Sequence, residues 1–382
     1  MATTPLLQLK DYGQSVWYDT VDREQLNNGL FKRLLNEDGI VGVTSNPTIF
    51  QKSISHGHAY DEQMDQLMRE GKDTSDIYDA LVITDIRTVA DMLKPIYEQT
   101  NGLDGYVSLE VSPDLSHNTE ATLSEARRFW KMVDRPNLMI KIPATPEGIP
   151  AVRQALLEGL NVNITLIFSI KTYREVTEAY ISALEERKAE GKDLSPIASV
   201  ASFFVSRVDT LVDKLLEDKV QATSDPAEQQ KLKSLEGKAA IANARLVYQD
   251  FQRIFHSPRF EALKQSGAHV QRPLWASTST KNPAYRDVLY AEELIGPDTV
   301  NTMPLETIEK FRDHGRVSLT VENNIPQAKA ELDALEKVGI SYDQVTHQLQ
   351  DEGVQQFADS FHELMKGIEA KKNAIAEKQG TR

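Results

Sequence analysis

The chain of 382 residues contains no cysteine, which excludes thiol catalysis, disulfide bridges and cysteine-bound metals. Long apolar runs are also missing: no stretch approaches the roughly 20 residues that cross a bilayer. Met1–Lys10 lacks a basic segment followed by an apolar core, so neither a membrane partner nor secretion is expected, and the expected location is cytoplasmic. Basic residues are in deficit, 43 Lys and Arg against 57 Asp and Glu, for a formal net charge of -14. Nucleic acid is therefore disfavoured as a partner, because binding it needs a basic face that displaces counterions from phosphates. A small phosphorylated substrate needs only a few Arg or Lys converging locally. Neither a G-x-G-x-x-G after the first strand nor a G-x-x-x-x-G-K-[ST] is present, which removes the usual nucleotide-binding loops. What remains, with 40% hydrophobic residues, is a globular chain able to bury a sizeable core.

Short β-type runs recur at Ser15–Thr20, Ile40–Asn46, Tyr106–Ser112, Leu138–Ala144, Asn161–Phe168, Pro196–Phe204, His269–Ser277 and Asp298–Pro304. Longer stretches of helical spacing separate them. Strand alternating with helix implies parallel pairing, and about eight such units predict a closed (β/α)8 TIM barrel, with an open doubly wound sheet as the alternative. After Pro304 the pattern is helix only, which divides the chain into a barrel over 1–323 and, over 324–382, the last barrel helix with a C-terminal helical extension. Ala370–Arg382 reads as frayed and solvated. Ser224-Asp225-Pro226 within the polar insert Gln221–Lys233 reads as a cap and a fresh helix start. Nothing in the sequence singles out a subunit interface.

Lys141 lies inside Leu138-Met139-Ile140-Lys141-Ile142-Pro143-Ala144, a run that reads as a buried strand. Burial disfavours an ammonium and favours a neutral amine that can attack a carbonyl; the alternatives are a lysine that snorkels out or one that pairs with a buried carboxylate. In a (β/α)8 barrel, chemistry sits at the C-terminal ends of the strands. Period-two alternation puts Thr44 with Asn46, Ser108 with Glu110, and Asn163 with Thr165 on common faces, while Asp19, Ser202 and Ser277 fall near three further strand ends. Buried polar groups are costly unless paired. Lys141 with Glu110 and Asp19 supplies an amine for an iminium and carboxylates to move protons, as an aldol cleavage needs. A structural ion-pair network is the plainer reading.

Val43-Thr44-Ser45-Asn46-Pro47-Thr48-Ile49-Phe50, Val107-Ser108-Leu109-Glu110-Val111, Met139-Ile140-Lys141-Ile142-Pro143-Ala144-Thr145, Asn161 to Ser169, and Ala201-Ser202-Phe203-Phe204-Val205-Ser206-Arg207-Val208-Asp209 together carry a resemblance to the transaldolases of the longer type with a C-terminal extension. It covers about residues 12 to 305. The resemblance implies that Lys141 forms a Schiff base with a ketose phosphate while Asp19 takes the proton from the hydroxyl whose carbon–carbon bond breaks. It further implies that Glu110 and Thr165 hold a proton-relaying water, that Asn46, Asn163 and Ser202 bond the hydroxyls of the three-carbon unit, and that Arg207 with Ser277 holds the phosphate. A bidentate guanidinium suits that task. Members of the shorter type carry an arginine two positions beyond the serine matching Ser277; here Ser279 stands there, followed by Lys281, the candidate replacement charge.

The implied activity moves a dihydroxyacetone unit from sedoheptulose 7-phosphate to glyceraldehyde 3-phosphate, a step of the pentose phosphate pathway, with sugar phosphates as partners and no cofactor or metal. The related fructose-6-phosphate aldolases carry a glutamine in place of the strand-three glutamate and a tyrosine in place of the second Phe of the strand-six motif. Glu110 and Phe204 therefore point to transfer. A barrel that only binds sugar phosphates is a third alternative, and intact Lys141, Asp19 and Glu110 count against it. His56-Gly57-His58 lacks a third ligand at useful spacing, and Trp17, Trp130 and Trp275 read as packing, with Trp275 sharing the face of Ser277.

Overall fold

The computed structural model describes residues 4–55 and 57–380; His56 of the discounted histidine pair and the last two residues lie outside them. Eight parallel strands close into a barrel in chain order: β1 (Gln14–Tyr18), β2 (Ile40–Val43), β3 (Val107–Glu110), β4 (Leu138–Pro143), β5 (Val162–Ile167), β6 (Ser199–Phe204), β7 (Arg272–Ala276) and β8 (Thr299–Met303). Pairing of Gln14 with Thr299 joins the first strand to the last and excludes the open sheet. Strands β3 to β8 are buried along their whole length, as expected of a parallel sheet covered by helices outside and side chains within. Gly42 lets Trp17 lie against β2, since a Cβ there would come within 2.4 Å of the indole. Strands β6 and β7 start three residues later than the expected runs, because Pro196 to Ala198 and His269 to Gln271 lead into the ladder without belonging to it.

Strand β5 contains an irregularity that periodicity does not announce. Its register against β6 shifts between Ile164 and Ile167, and Leu166 takes a left-handed φ of 57°, a costly backbone for a non-glycine residue. Both distortions lie at the C-terminal end of the strand, where the barrel opens.

Met303 leads into the helix Leu305–His314, which packs on β8. The helix Ile325–Lys337 then packs on Ala239–Phe255, and the long helix Tyr342–Gly380 crosses the C-terminal mouth, touching Pro47–Ser55, β5 and Ser206–Ala222. We propose the boundary at 323 as the limit of the barrel; the helix Leu305–His314, packed on β8, precedes it. Ala370 onward does not fray within the described residues but stays helical to Gly380, anchored by the Lys371 ammonium on the Gly57 carbonyl at 2.7 Å. The insert behaves as its turn chemistry predicts: Asp225 accepts from the Ala227 N–H and caps Pro226–Lys233. No described helix is long and apolar enough to cross a membrane.

Candidate active site

Parallel register sets Glu110 beside Lys141 and Lys141 beside Asn163, so three polar residues occupy one layer of the barrel interior. Lys141 is 4% exposed and does not snorkel out. Its Nζ lies 3.0 Å from Glu110 Oε2 and donates to the Ser45 carbonyl at 3.0 Å. Asp19, one residue past β1, accepts from the Thr44 hydroxyl at 2.7 Å, and Thr44 also meets the Thr302 hydroxyl at 2.6 Å. Burial pushes the Asp19 carboxyl up, with Lys141 and the Thr44 hydroxyl opposing the rise. Glu110 is likewise raised by burial against the attraction of Lys141. An amine thus faces two carboxylates whose charged forms the surroundings penalise.

A cavity of about 470 Å³ opens over this layer. Of the eleven site residues expected from the sequence, nine line it: Asp19, Asn46, Lys141, Thr165, Ser202, Phe204, Arg207, Ser277 and Lys281. Glu110 and Asn163 stand behind the wall instead. Asn163 gives its amide to Ser108 Oγ at 3.0 Å and accepts from Ser202 Oγ at 2.6 Å, so it orients Ser202. Thr165 Oγ1 is buried without a hydrogen-bond partner among the described residues, an arrangement that leaves its hydroxyl for a bound molecule.

The far side of the cavity is cationic. Arg207, in the first turn of Ser206–Ala222, holds its guanidinium 5.3 Å from the Phe204 ring centroid and makes no salt bridge among the described residues. Burial lowers its pKa, with Glu352 opposing. Ser277 adopts a left-handed φ of 55° just past β7, and its hydroxyl and carbonyl meet Ser206 Oγ and N at 2.9 and 3.0 Å. The strained serine and the helix start are thereby locked together. Ser279, where shorter family members carry arginine, turns its hydroxyl to Thr307 at 2.7 Å, while exposed Lys281 reaches the cavity rim. A cation-lined end after β6 and β7, 17 residues of helix opening on it, suits a phosphate.

The C-terminal helix supplies two lining residues that sequence reasoning missed, Gln356 and Phe357. The Phe357 ring centroid is 5.5 Å from Lys141 Nζ. Helical periodicity places Gly353, Phe357, Leu364 and Ile368 on one inward face, yet nothing in that pattern says which surface the face covers.

The family described as Transaldolase/Fructose-6-phosphate aldolase matches residues 16–368. Among curated relatives, a protein named Transaldolase from Thermobifida fusca is 50% identical over 363 residues, 95% of this chain and 96% of the relative. The Transaldolase of Trichodesmium erythraeum is 46% identical over 373 residues, 97% of this chain and 98% of the relative. Transaldolase 2 of Streptomyces coelicolor is 45% identical over 379 residues and covered completely. The matched residues extend well into the C-terminal helix.

Proposed function

The chain belongs to the transaldolase/fructose-6-phosphate aldolase family, and from that premise we propose that it acts as a transaldolase, moving a dihydroxyacetone unit from sedoheptulose 7-phosphate to glyceraldehyde 3-phosphate in the pentose phosphate pathway. The observation that carries the reading is the buried Lys141 amine, 3.0 Å from Glu110, sharing one cavity with Asp19 and Arg207.

In this mechanism the Lys141 amine adds to the ketose C2 carbonyl, and loss of the carbinolamine hydroxyl as water leaves an iminium. Glu110 and Thr165 relay the protons of that exchange, the first by its proximity to the amine and the second through its unpartnered hydroxyl. Asp19 takes the proton of the C4 hydroxyl. The C3–C4 bond then breaks, its electron pair enters the iminium to give an enamine, and the shortened aldose leaves. An incoming aldehyde reverses these steps. Arg207, Ser277 and Lys281 hold the phosphate, while Asn46 and Ser202, oriented by Asn163, bond the hydroxyls of the three-carbon unit.

Lyase activity, which releases the three-carbon unit to water, is the alternative within the family. Phe204 favours transfer: an apolar ring, buried at the end of β6 and packed on Phe168 at 5.2 Å, offers no hydroxyl to protonate the enamine. The test is to incubate the protein with sedoheptulose 7-phosphate, with and without glyceraldehyde 3-phosphate. Erythrose 4-phosphate and fructose 6-phosphate should form together only when the acceptor is present. Equal turnover without acceptor would replace the transferase by a lyase.

A further inference from the structure

The helix Tyr342–Gly380 is fastened to the barrel mouth by bonds on both sides of Phe357. At its start the Tyr342 hydroxyl donates to Asn243 at 2.6 Å and accepts from the Ile170 N–H at 3.0 Å. Gln350 then gives its amide to the carbonyls of Ala144 and Leu166 at 2.9 and 3.2 Å, which lie beyond β4 and in the distorted end of β5. Gly353 permits that seat, because a Cβ there would come within 2.9 Å of Leu166 Cδ2. Beyond the mouth, Ser360 meets the Thr48 hydroxyl at 2.8 Å and His362 pairs with Asp114 at 2.9 Å. Phe357, between these anchors, is 4% exposed and faces the Lys141 amine.

We propose that Phe357 is a specificity-determining residue that seals the cavity over Lys141 against water, so that the enamine waits for an aldehyde; the proposal rests on the Schiff-base reading above. Without the seal, water donates a proton to C3 of the enamine and restores the iminium. The hydroxide left behind adds at C2, and the carbinolamine passes its hydroxyl proton to nitrogen as the C2–N bond breaks, freeing the Lys141 amine and releasing dihydroxyacetone. The ring acts by excluding the proton donor. It also keeps a cation–π partner over the nitrogen while that nitrogen is positively charged, as ammonium or as iminium.

The test compares wild-type protein with Phe357→Leu and Phe357→Ala, measuring dihydroxyacetone released from fructose 6-phosphate without acceptor against transfer with erythrose 4-phosphate, and Lys141 labelling by borohydride in each. Release relative to transfer should rise several-fold in the leucine variant and about 10-fold or more in the alanine variant, the scale of admitting a proton donor to a closed site, while Lys141 is still labelled. Removing a buried ring is costly, so if the alanine variant does not fold, the leucine variant decides. An unchanged ratio in a folded variant that still traps substrate overturns the seal and leaves the Schiff base standing. Failure of the wild-type protein to be labelled overturns both.

Discussion

A lysine paired with a carboxylate in a dry layer adds little net stability, because desolvating two charges offsets most of their attraction. The Lys141–Glu110 pair is therefore better understood through chemistry than through folding, and the two carboxylates should separate by step. Asp19→Ala should still form the imine but stall cleavage, so that trapped adduct accumulates while turnover falls about 10²-fold or more. Glu110→Ala should instead slow formation of the adduct, and quenched-flow trapping distinguishes the two; equal trapping rates in the Glu110 variant and the wild type would refute the division. Phe204→Tyr introduces a phenol at the cavity wall. More dihydroxyacetone should then leave without acceptor, at the expense of transfer, and an unchanged ratio would remove Phe204 from control of the partition. At this scale the sequence was informative wherever a side chain's own chemistry marks it. Lys141, Asp19 and Glu110 are conspicuous in apolar strands, and they do converge. Asn163 carried no sign that its amide would be committed to Ser108 and Ser202, since that depends on side chains of other strands, β3 two strands away and the adjacent β6.

Secondary-structure elements explain how the cationic end is held. Asp209, in the helix Ser206–Ala222, accepts from the Ala240 N–H at 2.7 Å and from the Tyr290 hydroxyl at 2.8 Å. It thus caps the helix Ala239–Phe255, which has no side-chain cap of its own, and ties it to the helix Leu289–Glu293 that follows β7. Burial pushes the Asp209 carboxyl up to about 7, with the Ala240 N–H opposing. Its unfolded value is about 3.9, so between about pH 4 and pH 7 the folded chain holds a proton that the unfolded chain has lost. Folding stability contributed by this group is thus greatest in acid and falls as pH rises through that window, by a few kcal/mol at most. Asp209→Asn removes the titration. Urea unfolding should show the wild type losing ground to the variant between about pH 4 and pH 7, and a pH-independent difference would contradict the assignment. Strand order was legible because strand alternating with helix is a local signal, whereas the strand limits were legible only to within about three residues, since where a ladder begins and ends depends on the neighbouring strand. The left-handed Leu166 and Ser277 were not, as neither residue type advertises that backbone, and the path of the C-terminal helix over the mouth depends on long-range seats such as Gln350 on Leu166.

For the whole molecule, closure of eight parallel strands gathers residues from distant parts of the sequence onto one rim, and the extension roofs it. Barrel architecture was readable from the alternation of elements; the roof was not, because the resemblance ended near residue 305 while the family match runs to residue 368. Everything proposed for this rim depends on a covalent bond at one nitrogen. Borohydride reduction of the protein with fructose 6-phosphate, followed by peptide mass spectrometry, tests that bond directly. A single adduct should appear on the peptide carrying Lys141 and be absent from Lys141→Arg, whose guanidinium stays protonated and cannot form the imine. Labelling of a different lysine, or no labelling in protein that is turning over substrate, would contradict the covalent bond at Lys141.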